Sequence, residues 1–89
     1  HGETIINVQR LGDAACAALT QSEAVQKADC RAAVERERPT ATFTVTADPA
    51  FHMDDFIELV ERANEDFRVA NHTMEIDTVW KLHFERVAA

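Results

Sequence analysis

Eight consecutive residues near the middle of the chain alternate without a break. Thr40, Thr42, Thr44 and Thr46 interleave with Ala41, Phe43, Val45 and Ala47. A period of two sends one set to one side of a strand and the other set to the opposite side. The apolar set needs a covering layer, while the threonine set is at home in water. A strand of this kind belongs to a sheet with one packed face and one solvated face.

The covering layer is legible downstream. Asp48-Pro49 is a turn signal, with Asp48 a natural N-cap and Pro49 suited to a first helical position. From about Met53 to Phe67, the residues Met53, Phe56, Ile57, Leu59, Val60, Ala63 and Phe67 fall within one arc, and Asp54, Glu58, Glu61 and Glu65 fall opposite. This is an amphipathic helix made to lie on an apolar surface. Asn71 to Val87 then reads as a long strand, with Met74, Ile76, Thr78, Trp80, Leu82 and Phe84 on one face. Such a strand outruns Thr40–Ala47, so part of its edge lacks a neighbour within the chain. Pairing with a second copy or another protein's strand would satisfy that edge, which makes Met74, Ile76, Trp80, Leu82 and Phe84 the expected interaction surface and a homodimer the expected state. A bend or bulge near Asp77 is the alternative.

The N-terminal third is poorer in signal. Residues 3–11 suggest a first strand, although Ile5 and Ile6 are adjacent and spoil the alternation. Gly12 then breaks the chain, and Asp13 caps a helix whose face carries Ala14, Ala15, Ala18 and Leu19. Ser22 caps a second helix running to about Arg38, striped by Ala24, Val25, Ala28 and Ala32 and ended by Pro39. The expected result is a helical hairpin, or one kinked helix, stapled by a Cys16–Cys30 disulfide, a bridge worth on the order of 3 kcal/mol. The fold class is therefore α+β, a small antiparallel or mixed sheet with helices on one face and an N-terminal helical hairpin. At 89 residues it forms a single domain, 1–89.

Charge and composition narrow the function. A net charge of −7 disfavours nucleic acid and anionic membrane surfaces, which select clustered Lys and Arg. No apolar run approaches the ~20 residues of a membrane span. The glycines are Gly2 and Gly12 alone, so no phosphate-cradling loop can be built. Ser22 is the sole serine, tyrosine is absent, and bridged cysteines offer no nucleophile. The chain is thus expected to be a non-enzymatic interaction domain without cofactor or catalytic residues. The cysteine pair, and a start at His1-Gly2 without Met, point to a processed chain in a secreted or periplasmic setting. Signal-peptide cleavage and tag removal explain that start equally well.

The runner-up reading is a small copper- or metal-binding protein using His1, whose α-amino group and imidazole could together chelate Cu(II), which prefers nitrogen ligands in a planar arrangement. His52, His72 and His83 have no metal-ligand spacing among them. Asn71-His72-Thr73 matches the N-glycosylation sequon. A small enzyme or accessory subunit is the remaining alternative.

Overall fold

The computed structural model describes residues 2–84. The element order is α1 (Gly2–Leu19), β1 (Val25–Glu35), β2 (Arg38–Ala47), α2 (Met53–Ala70) and β3 (Asp77–Phe84). β2 is the central strand, paired antiparallel with β1 and parallel with β3. The α+β class and the mixed sheet are as the patterns require.

The hydrophobic alternation in β2 builds the core. Ala41, Phe43, Val45 and Ala47 are all buried. Phe43 meets the ring of Phe67 from α2 edge-on at 5.1 Å and stacks on Trp80 of β3 at 4.0 Å. Its other neighbour is α1 at Gly12. Both helices therefore lie on the Phe43 side. Thr42, Thr44 and Thr46 face the opposite side, flanked by Asp29 and Arg31 of β1 and by Val79, Lys81 and His83 of β3. No helix covers that side among the described residues.

The N-terminal region departs from expectation. Residues 3–11 are the first half of α1, and Gly12 lies inside the helix. Val8, Gly12, Cys16 and Leu19 form one buried stripe at helical spacing, which the adjacent isoleucines conceal. Gly12 is no breaker, because a Cβ there would run into the Cys30 sulfur and come within 3.1 Å of Cys30 Cβ. Glycine ordinarily weakens a helix by about 1 kcal/mol, and here it permits α1 to approach β1 closely. Asp13 caps nothing; its carboxylate accepts a hydrogen bond from Gln9 within the helix.

The second arm of the expected hairpin is a strand. Val25–Glu35 pairs along its length with β2, setting Ala28 opposite Val45, Cys30 opposite Phe43 and Ala32 opposite Ala41. The alanines favour helix locally, but a full antiparallel ladder against the strongest strand in the chain outweighs that preference. Ser22 accordingly serves the turn into β1, its hydroxyl accepting from the Ala24 N–H. Pro39 sits within β2 rather than ending a helix. It is tolerated there because β3 reaches only as far as Thr40, so β2 has a free edge at Pro39.

The expected long C-terminal strand is shorter. Asn71, His72 and Met74 donate their N–H groups to Phe67 and Arg68, Val69, and Asn71 respectively, so the chain turns before it extends. β3 begins only at Asp77. Asp48 caps a turn, its side chain accepting from Ala50 N–H, and helix α2 starts after His52. Residues 85–87 of the expected strand lie outside the described residues.

Candidate functional site

A three-stranded sheet of order β1-β2-β3 has two edges, and the chain treats them differently. At the β1 edge, the side chain of Gln9 reaches down from α1. Its Nε2–H donates to the Cys30 carbonyl at 2.8 Å, and its Oε1 accepts from the Ala32 N–H at 2.8 Å. A carbonyl and the N–H two residues on point to the same side of a strand, so one amide bridging both reproduces what a neighbouring strand would do. The close approach at Gly12, one turn along α1, holds the helix where Gln9 can reach. This edge is closed at its middle.

Among the described residues the β3 edge has no such plug. Its inner face is fully engaged: Trp80 stacks on Phe43, and its Nε1–H donates to Asn64 Oδ1 of α2 at 3.0 Å. Thr78 donates to the same oxygen at 3.3 Å. Leu82 and Ile76 pack against the core, and Phe84 meets Phe56 edge-on at 5.4 Å while 44% exposed. The backbone on the side away from β2 faces no strand among the described residues. On the open face beside that edge stand Asp77, Val79, Lys81 and His83, with Val79 42% exposed. Arg38 binds the acidic start of this segment, donating to Asp77 at 3.0 Å and lying 3.5 Å from Glu75.

Of the five residues expected to form an interaction surface, Ile76, Trp80 and Leu82 therefore secure β3 to the core. Met74 lines a shallow depression with Arg38 and Arg68, away from the edge. Phe84 alone among them remains substantially exposed. The edge itself is backbone, and its exposed apolar side chain is Val79, which the alternation places opposite to the expected set. Gln9 carries no sequence signal for its role, which depends on where α1 lies.

The expected disulfide is absent. Cys16 and Cys30 are both free thiols, because Cys30 lies on a strand with its sulfur over Gly12, one turn before Cys16. Burial is the main cause that pushes Cys16 up to about 11, with Asp13 and Asp29 adding to it. Burial likewise pushes Cys30 up to about 12, helped by Cys16 and Asp13. Both thiols are protonated at neutral pH, the opposite of an activated nucleophile.

The sequon is also accounted for. Asn71 is 3% exposed, and its Nδ2–H donates to the Phe67 carbonyl at 2.7 Å. The nitrogen that would carry a glycan is inside the fold. His1 of the copper expectation lies outside the described residues. Among the described residues, no group of three or more His, Cys, Asp or Glu could hold a metal ion. No described helix is long and apolar enough to cross a membrane. Neither a scan against protein-family models nor a search of curated proteins found a match to this chain.

Proposed function

We propose that the chain is a protein-interaction domain that takes up a β-strand at the free edge of β3, and that it works by binding rather than catalysis. One observation carries this reading: the same fold that spends Gln9 on closing the β1 edge leaves the β3 edge open among the described residues. Unpaired strand edges are a hazard that folded proteins usually suppress, so an edge left open beside a closed one is a candidate for use. Strand addition supplies main-chain hydrogen bonds for affinity and alternate side chains for specificity. The serine and cysteine side chains that could act as nucleophiles are otherwise engaged. The Ser22 hydroxyl accepts from Ala24 N–H, and both thiols hold their protons. The unbonded thiols also withdraw the premise for an oxidising compartment, so no location enters the proposal.

Hydrogen exchange tests it. The backbone amides of β3 that point away from β2 should slow as protein concentration rises, or when an extended peptide copying residues 74–84 is added. The amides of Cys30 and Ala32 should not respond. Outer β3 amides that exchange at one unchanged rate under both conditions would refute the reading.

A further inference from the structure

Read outward from Val79, the segment from Met74 to Phe84 is acidic on one side and basic on the other. Glu75 and Asp77 precede Val79 by four and two residues; Lys81 and His83 follow it by two and four. Asp77, Val79, Lys81 and His83 lie on the open face, as the pairing of Val79, Lys81 and His83 with Thr42, Thr44 and Thr46 shows, and Glu75 stands just before the strand. The other parity carries Met74, Ile76 and Thr78 before Val79, and Trp80, Leu82 and Phe84 after it.

We infer that the partner strand is β3 of a second copy, paired antiparallel about a two-fold axis through Val79. This rests on the strand-addition reading above and names its occupant. A two-fold axis perpendicular to the sheet makes the interface self-complementary and keeps both helical layers on the same side. In this register Val79 faces its own copy once and Asp77 faces Lys81 twice, and just beyond the start of β3 Glu75 comes near His83. On the helix side Thr78 faces Trp80, and Ile76, just before the strand, comes opposite Leu82. Opposite charges and apolar pairs across neighbouring strands each contribute roughly 0.2–1 kcal/mol.

The register is selective. A shift by one residue, to a centre on Trp80, sets Lys81 opposite Val79. A centre on Lys81 sets that ammonium against its own copy. Odd shifts of the pairing turn the two helical layers to opposite faces and mix apolar with charged side chains. Lysine on an edge strand normally discourages pairing. Here the Val79-centred register answers it with Asp77, the acidic residue within β3. Among the described residues Lys81 and His83 make no ion pair within the chain, whereas Arg38 holds Asp77 and Glu75 at the strand's start. The result is a continuous six-stranded sheet with β1 at both ends, the edge that Gln9 closes, so growth stops at two.

The experiment uses the full chain in three forms, by sedimentation and native mass spectrometry from micromolar to submillimolar concentration. The wild type should be a dimer. Glu75→Lys/Asp77→Lys makes the segment basic throughout, and Lys81→Glu/His83→Glu makes it acidic throughout. Each should self-associate at least about tenfold more weakly, since positions 77 and 81 then carry like charges opposite each other. An equimolar mixture of the two should form a heterodimer. Val79→Cys should cross-link to its own copy under mild oxidant, and Lys81→Cys should not. Thermal melts establish that each variant is folded; where a double variant is not, Lys81→Glu alone replaces it, with the same loss expected. Variants that dimerise as tightly as the wild type would overturn the register. A monomeric wild type at every concentration would overturn self-pairing, and protection of β3 by foreign extended peptides then decides whether the edge reading itself survives.

Discussion

The two edge strands differ in what their outer backbone meets. β1 is tucked under α1, which contributes Gly12 for close approach and Gln9 as a substitute strand. β3 is held from within by Phe43, Asn64 and Phe56, and nothing from its own chain lies along its outer side among the described residues. Stability and availability are thereby separated on one strand. Side chains of Thr78, Trp80 and Leu82 fix the strand, while the backbone edge and the side chains of Val79, Lys81 and His83 remain for a partner. On β1 the same two requirements are merged, because the helix that covers the strand also blocks it.

The separation on β3 predicts the largest contrast. Phe43→Ala removes the ring that Phe67 and Trp80 both pack on, and should cost about 3–5 kcal/mol, measured by denaturant unfolding. That is a large part of the stability of a domain this size. Val79→Ser, on the adjacent strand one position before Trp80, should stay within about 0.5 kcal/mol in the monomer. Comparable losses from the two would mean that β3 has no free face.

How much of this was legible follows the strength of each period. β2 and α2 stand out because bulky residues mark their faces: Phe43 and Val45 in one, Phe56, Val60 and Phe67 in the other. β1 was hidden by its alanines. Ala28, Cys30 and Ala32 alternate correctly, but residues so small carry little burial signal and a strong helical preference. They are small for a reason found only in three dimensions, since α1 lies close above them. In β3 the even-numbered apolar positions were correctly grouped, but alternation alone could not say whether that group faces the core or a partner. Stacking of Trp80 on Phe43 decides it.

The contact that closes the β1 edge can be loosened next. Gly12→Ala drives a methyl group into Cys30 and should destabilise by roughly 1–3 kcal/mol, the usual range for overpacking. Cys30→Ala in the same chain should recover part of this, a coupling of at least about 0.5 kcal/mol in a double-mutant cycle. The thiols give a second readout. Held at about 11 and 12, they should resist iodoacetamide at neutral pH and react once denatured. Both protons are bound more tightly in the folded state than at the ordinary thiol value of 9.0. Their contribution to stability is therefore intact below about pH 9 and is lost as pH rises towards 11 and 12. A Cys16→Ala/Cys30→Ala chain should show a flatter alkaline decline.

Gln9→Leu tests the plug directly. It removes three hydrogen bonds, two to β1 and one to Asp13, and should cost about 1–3 kcal/mol. Its sharper consequence is in assembly. With Cys30 and Ala32 exposed, both edges of the sheet are open, and the dimer should grow into higher oligomers visible by light scattering. Gln9→Glu keeps the acceptor for Ala32 N–H but loses the donor to Cys30, and its carboxylate repels that carbonyl; it should be destabilised yet remain dimeric because a charge now guards the edge. Unchanged oligomeric state in Gln9→Leu would show that α1 alone closes β1.

The smallest effect lies in the turn that joins the closed strand to the centre. Arg36 and Glu37 connect Glu35 to Arg38 with φ of 51° and 65°, the left-handed region that L residues other than glycine and asparagine adopt at a cost. A two-residue hairpin with both central residues at positive φ favours Asn-Gly. Arg36→Asn/Glu37→Gly should therefore stabilise the fold by about 1 kcal/mol, raising the denaturant midpoint with little change in slope. The turn lies at the end of the hairpin where β3 does not reach, since β3 pairs with β2 only from Thr40 onward. Its relief should leave the dimer dissociation constant unchanged. A shift in both quantities would mean that the two edges are coupled through β2, and that opening one strand is felt at the other.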